Sequence, residues 1–337
     1  MFRGKSFEVK RNHHYVMVDY LRRWSQDGKN IWYTTPSGKV GSDSIKGLAK
    51  EDYFYRASPL TKRQIQDFLL FFRSSPPSLR EQHLQELEVY LKIQHLCQTP
   101  SMEGKEAEKN HAVSVLMCNT LENTHAFHER EARDIMKHLA KGEFSILEAD
   151  ENLMKFLVYF GHQIARTRAF KESCLLAMEA ATSKDVDDHG VAERLRGAWW
   201  FFSYIFGMNI GRSLYLDRKT DKHCLLINDS NEDFITSNQP IINIHPDLKE
   251  SDFHPPDDNA CDFFYPISPK IAFMVNKSTV FPHGVTAVSG GFVQAVNQRI
   301  AKTSEHNIFA TTKEQVRIYR KLVGQRMKAA SIFYTSS

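Results

Sequence analysis

Residues 150–168 read DENLMKFLVYFGHQIARTR, and their spacing decides how the rest of the chain is arranged. Leu153, Phe156, Leu157, Phe160 and Ile164 recur at helical intervals, so one face of a helix over 151–166 is apolar throughout, with Asp150 placed to cap it. A face of that kind must be covered by other elements, which puts the segment inside a helical core. The helix closes on Gly161, His162, Gln163 and Arg166. Gln163 and Arg166 share a side at i, i+3, and a buried guanidinium there suits bidentate capture of a carboxylate or phosphate. An arginine in a last turn also answers the helix dipole, with no further role.

Helical periodicity extends in both directions from this segment. Ile65, Phe68, Leu69 and Phe72 predict a helix that Ser74-Ser75-Pro76-Pro77 stops. Leu84, Leu87, Leu91 and Ile93 predict another over 79–97. Residues 106–139 read as one long helix or two, ended by Gly142, and 170–182 as a further helix before the acidic turn Lys184-Asp185-Val186-Asp187-Asp188. The helix over 193–216 contains the most apolar stretch, AWWFFSYIFGMNI at 198–210. A bilayer needs about 20 such residues, so this stretch reads as a core helix.

The two ends of the chain follow strand rules. Asp27-Gly28-Lys29 leads into NIWYTT at 30–35, a strand entered from a tight turn, and Pro36-Ser37-Gly38-Lys39 makes a second turn. A short helix is expected over 15–24. Past Asp221, short β-type runs at 224–227, 234–236, 241–244 and 271–275 alternate with turns and with a long acidic loop at 247–259. A helix over 290–301, a strand at 307–310 and a basic helix over 313–329 follow. These readings predict an α+β fold: a central helical bundle of about six helices packed with a mixed or antiparallel sheet built from N- and C-terminal strands. One large domain over 1–337 is expected, with subregions 1–56, 60–220 and 221–329.

Residues 1–50 carry ten Lys/Arg against four Asp/Glu, and 299–337 carry eight against two, each a net of +6 within a chain of net +4. A sheet shared by both ends would set these basic segments side by side. They would then offer a face to nucleic acid or a nucleotide, or simply pair with the acidic middle. The five cysteines are odd in number and form no CxxC, which argues against a disulfide framework or a zinc ribbon. With no apolar leader in the first 20 residues, a cytoplasmic protein without a membrane segment is expected. The sequence sets no oligomeric state.

Four constellations can carry chemistry. Arg11-Asn12-His13-His14-Tyr15 supplies two histidines and a phenol for acid–base work or metal binding, one histidine to each side of an extended chain. Glu122 and His125 form an E-x-x-H pair that Glu108 and His111 repeat, a spacing used by di-iron helices, although solvated helix faces account for it as well. Gln163 and Arg166 are the third. Ser237 and Asn238 before Pro240 are the fourth, at a strand end where sites gather, or an Asx-type turn. The catalytic candidates are His13, His14, Tyr15, Gln163 and Arg166. The substrate-binding candidates are Arg11, Asn12, Ser237, Asn238 and Asn297. No cofactor is fixed, though a divalent metal is compatible with the histidines.

The order of short motifs resembles the mainly bacterial family of unknown function designated domain of unknown function 4238. The motifs lie at 11–21, 27–32, 163–167, 234–240, 265–269 and 296–297, and the resemblance runs over about residues 10–312. It implies kinship and brings no activity with it. Three positions depart from the family pattern: Asn238 stands where an Asp is usual, Arg168 where a Pro is usual, and Met17 where a Pro follows His-Tyr-Val. Asn cannot serve as a general base, so a scheme built on a carboxylate at 238 fails here. Two functions remain open: an enzyme on nucleic acid or nucleotides, such as a nuclease-like effector of bacterial conflict or phage defence, and a non-catalytic sensor of a small molecule or partner protein.

Overall fold

A computed structural model describes residues 7–101, 103–182 and 190–336. The chain starts with a short strand β1 (Asn12–His14), a one-turn helix α1 (Val18–Leu21) and the hairpin β2 (Asn30–Thr34) and β3 (Val40–Ser44), then β4 (Lys50–Asp52). Seven helices follow among the described residues: α2 (Lys62–Arg73), α3 (Pro77–Gln98), α4 (Glu106–Leu139), α5 (Asp150–Ala165), α6 (Arg168–Thr182), α7 (Val191–Gly197) and α8 (Trp199–Leu216). The C-terminal third holds β5 (Lys222–Asn228), β6 (Thr236–Ser237), β7 (Ile242–Asn243), β8 (Phe263–Ser268), β9 (Ile271–Asn276), β10 (Gly284–Val288), α9 (Gly290–Thr303), β11 (Ile308–Ala310), α10 (Lys313–Tyr319) and α11 (Gln325–Ser336). The fold is α+β.

The seventh helix of the bundle arises because 193–216 is not continuous. Ala198 leaves helical geometry (φ −118°, ψ 17°) and separates α7 from α8. Two more details differ from the sequence reading. Ala149, not Asp150, occupies the cap of α5, and the Asp150 carboxylate accepts from Arg218 Nε at 3.0 Å instead. The C-terminal helix breaks at Gly324, whose φ of 77° suits glycine, giving α10 and α11. The acidic turn at 184–188, along with Arg3 and Lys5 of the basic N-terminus, lies outside the described residues.

The strands form three sheets. The four-stranded sheet, in the order β3-β2-β11-β6, joins the two ends of the chain: Trp32 pairs with Ala310, and Thr236 with Phe309. Helix α10 packs against β2 and β3, and Lys313 Nζ sits 5.6 Å from the Trp32 ring centre, so the basic ends do lie together. The five-stranded sheet, β10-β5-β9-β8-β7, comes wholly from the C-terminal third and is mixed, since β10 runs parallel to β5. Strands β1 and β4 form a separate antiparallel pair.

Helix α5 is the axis of the molecule. One side packs on the five-stranded sheet, with the Phe156 and Phe160 rings 4.8 and 5.9 Å from Phe273. The other side meets α8 at Gly161, Gly207 and Gly211. A Cβ at Gly161 would stand 2.4 Å from the Gly207 carbonyl oxygen, and one at Gly211 would stand 2.7 Å from the Leu157 carbonyl oxygen. Backbone touches backbone here, and any side chain must push the helices apart. Among the described residues no helix is long and apolar enough to cross a membrane.

Gly161→Ala is therefore expected to destabilise the fold by about 3 kcal/mol, read as a lower denaturant midpoint with an unchanged slope. Gly47→Ala serves as the control, because a Cβ there meets nothing within 4 Å. Its change should stay within about 0.5 kcal/mol.

Candidate functional site

The close crossing leaves the last turn of α5 buried between α4, α8 and the N-terminal segment. Arg166 is 2% exposed, an unusual place for a guanidinium, and its partners explain it. Its Nη1 donates to Glu129 Oε1 at 2.6 Å and its Nη2 to Gln163 Oε1 at 2.6 Å. Gln163 Nε2 donates in turn to the Tyr15 carbonyl at 2.9 Å, and the Tyr55 hydroxyl donates to the Arg166 carbonyl at 2.6 Å. Burial works against the positive charge, but Glu129 and the neighbouring Tyr55 and Tyr159 outweigh it and hold the guanidinium above its ordinary value. Arg166 is thus a structural cation that ties β1, the turn at Tyr55, α4 and α5 together.

Glu122, His125 and Glu129 stand at i, i+3 and i+7 on α4 and form one stripe. They line a cavity of about 240 Å³ together with Arg133 of the same helix, and His14 and Asp19 face them from the N-terminal segment. Burial pushes the Glu122 carboxyl up to about 8; the charge of Glu129 adds to the rise, while Arg166 and Lys10 oppose it. Its Oε2 is buried without a hydrogen-bond partner among the described residues. Glu122 therefore carries its proton at neutral pH, whereas Glu129 is the charged partner of Arg166.

Imidazoles surround this pair of carboxyl groups. His125 and His162 are each 2% exposed, and neither ring nitrogen of either one has a partner among the described residues. His162 stacks on His128 at 4.5 Å and meets His125 edge-on at 5.4 Å. Burial keeps all three neutral, helped by the positive charge of Arg166; His128 falls to about 4. An orphaned buried imidazole costs about 1–3 kcal/mol, and His125 carries that cost in the wall of the cavity.

The sequence candidates divide between this site and other places. His14 lines the cavity, its Nε2 3.4 Å from the Lys46 carbonyl, and Gln163 and Arg166 stand behind Glu129. His13 is buried on the other side of β1. Its Nδ1 accepts from the Tyr55 amide at 2.8 Å and its Nε2 donates to the Lys10 carbonyl at 3.0 Å, so both nitrogens are used. Tyr15 offers the site its backbone carbonyl; burial, with Glu305 and Glu51 nearby, raises its phenol to about 12. Arg11 pairs with Asp52 at 2.8 Å, and Asn12 is exposed in β1 opposite Asp52.

Ser237, Asn238 and Asn297 are buried at and beside β6 and in α9, away from this cavity. Ser237 Oγ closes a turn on Gln239, and the Asn238 amide donates to the Asn307 carbonyl at 3.0 Å. Asn297 accepts from the Ile235 amide at 3.0 Å and donates to the Asp233 carbonyl at 2.9 Å. The Ser237 and Asn297 side chains satisfy backbone groups of the segment around β6, whereas Asn238 Oδ1 is buried without a hydrogen-bond partner among the described residues. The two E-x-x-H pairs lie on the one helix α4, about 21 Å apart along its axis, so they cannot share an ion. Among the described residues no three His, Cys, Asp or Glu side chains come together as a metal site.

The fold and this site define an α+β protein with a buried carboxyl–imidazole–guanidinium cluster between its N-terminal strand and its helical bundle. The chain belongs to the family described as Protein of unknown function (DUF4238), whose model matches residues 12–199 and 208–314. No curated protein and no solved structure matches it. The family span contains every residue of the cluster. The departure at 168 has a structural use, since Arg168 reaches Glu305 at 3.0 Å and Glu51 at 3.5 Å, bridging the two ends of the chain.

These protonation states make stability depend on pH. The contribution of Glu122 is complete below the ordinary carboxyl value of 4.5 and is lost as pH climbs through about 8. The neutral histidines act in the other direction: their contribution is present above 6.5 and is lost as pH falls toward about 4. The melting temperature should fall on both sides of neutrality. Glu122→Gln should flatten the decline that runs from about pH 5 up to about 8 and leave the loss that the histidines cause at acid pH in place.

Proposed function

We propose that this chain is an enzyme that performs general acid–base chemistry in the cavity between α4 and the β1–α1 segment. Glu122 is the proton donor and Glu129, set by Arg166, is the carboxylate that accepts a proton or steadies positive charge. His14 and His125 orient the substrate. The observation that carries this reading is the opposed state of two carboxyl groups on one helical stripe, one protonated near neutrality and one ion-paired. A merely structural pair would have no need of a cavity, nor of an imidazole left unpartnered beside it.

The cavity, at about 240 Å³, is smaller than the roughly 300–1,000 Å³ of sites that enclose a whole drug-sized ligand. It suits a small polar molecule or one unit of a longer substrate. Nucleic acid or a nucleotide is the class favoured by the neighbouring cations: Arg133 in the cavity wall, Lys46 and Lys50 beside His14, and the basic ends brought together at the four-stranded sheet. Five free thiols fit work in the cytoplasm.

Incubation with RNA, single-stranded DNA and nucleotides, with and without a divalent metal, should show turnover in the wild type. Glu122→Gln should lower the rate by about a hundredfold or more and remove the alkaline limb of its pH profile near 8. His14→Ala should also slow it. Intact substrates in every wild-type reaction, or an unchanged rate and pH profile in Glu122→Gln, would overturn the reading.

A further inference from the structure

A different cavity lies beside α5 at Ile164. It has a volume of about 500 Å³, within the usual range of small-molecule sites. Its floor is apolar, made by Ile164, Phe170, Ile210, Ile241 and Phe263 from four helices and strands and the segment before β7. Its roof is the acidic loop at 247–259 together with α11. At one end stand Arg299, Lys302 and Arg326.

The cations at that end are unevenly matched. Lys302 is paired with Glu250 at 2.6 Å. Arg299 and Arg326 have only backbone oxygens: Arg299 Nη1 donates to the Ile244 carbonyl at 3.1 Å, and Arg326 donates to the carbonyls of Glu250 and Asp252 at 3.2 and 2.7 Å. Neither has a carboxylate within ion-pairing reach among the described residues. Both are half-buried, and burial depresses both guanidinium groups; Arg326 adds to the effect on Arg299, while Glu250 and Asp262 oppose it there and Asp252 and Glu250 oppose it at Arg326 without forming ion pairs. Half-buried like charges beside an apolar cavity are costly unless an anion joins them.

We infer that this cavity binds a free organic acid with an apolar body, its anionic head held by Arg299 and Arg326 and its hydrocarbon or aromatic part lying on the floor beside α5. The volume suits a single chain or ring system and excludes a two-chain lipid. The roof is fastened by contacts that a ligand would pass. Tyr334 donates from its hydroxyl to the Phe253 carbonyl at 2.6 Å, and the Arg326 guanidinium lies 5.2 Å from the Phe253 ring centre. The same arginine that meets the head therefore latches the roof, so binding and closure are linked. This inference does not rest on the chemistry assigned to the α4 cavity.

Decanoate and decanol, which share a chain and differ in charge, are the probes, used with the full chain below the concentration at which decanoate forms micelles. Decanoate should raise the melting temperature saturably and bind at least about tenfold more tightly than decanol. Arg299→Gln with Arg326→Gln should weaken decanoate by about tenfold or more and leave decanol unchanged, whereas Arg326→Lys, which keeps a charge, should lose less. Circular dichroism checks the fold of each variant; if the double variant does not fold, the wild-type comparison of the two probes decides alone. Equal binding of decanoate and decanol, no response to either, or full affinity in a folded double variant would each overturn the inference.

Discussion

Helices α5 and α8 approach until their backbones touch, because Gly161, Gly207 and Gly211 present no side chains at the crossing. Close-packed interiors transmit such a constraint, since a methyl group at the crossing cannot be absorbed without moving a helix. The approach fixes the height of α5 against the sheet beneath it, where Phe156 and Phe160 meet Phe273. It also fixes the rotation of the last turn. A Cβ at Gly207 would collide with the His162 ring at 2.5 Å, so the imidazole occupies the space that the glycine leaves. From that anchor Gln163 and Arg166 are aimed at Tyr15 and Glu129. The two cavities described above use this short piece of α5, one through Arg166, which holds Glu129, and the other through Ile164.

The electrostatics of the α4 cavity follow from what is and is not paired. One buried cation and one carboxylate form a tight pair, which leaves the second carboxyl group, Glu122, in a low-dielectric place beside a negative neighbour. Its cheapest state is the neutral acid. The same positive guanidinium suppresses protonation of the three imidazoles around it. Burial is the largest cause in all four groups, and the charges of the ion pair act on top of it.

Much of the architecture could be read from hydrophobic spacing. The periods over 60–72, 79–97, 106–139 and 151–166 correspond to α2 through α5, and NIWYTT and NIFA correspond to β2 and β11. Strand β10 escaped notice because GVTAV is short and mostly solvent-facing, and its pairing with β5 is parallel and non-local. The site was legible only in part. His14, Gln163 and Arg166 could be singled out because they sit at the ends of strongly patterned segments. Glu122 and His125 had the right spacing but read as a solvated face, since α4 is charged along its whole length. What covers them is the N-terminal segment, over a hundred residues upstream, as the Lys10 amide bonded to Asn119 and its ammonium bonded to Asn123 show. Glu129, His128 and His162 carried no separate signal, although the stripe at 122, 125 and 129 repeats a helical face. Ser237 and Asn297 stand apart from this cavity, and their buried side chains satisfy backbone groups, a use that in sequence looks the same as a ligand contact.

The four-stranded sheet has a consequence for how the protein is made. Asn307 donates to the carbonyl of Thr34, a residue 273 positions earlier, where β11 closes onto β2. On the ribosome, at about 5–20 residues per second, the hairpin of β2 and β3 emerges on the order of half a minute before the strand that covers its open edge. During that interval Trp32 and Tyr33 stand on an unpaired edge, the kind of surface on which nascent chains associate. The twist is that β2 borders a lysine-rich segment, with Lys29, Lys39 and Lys46 around it. Before they serve any folded surface, these charges keep unfinished chains apart.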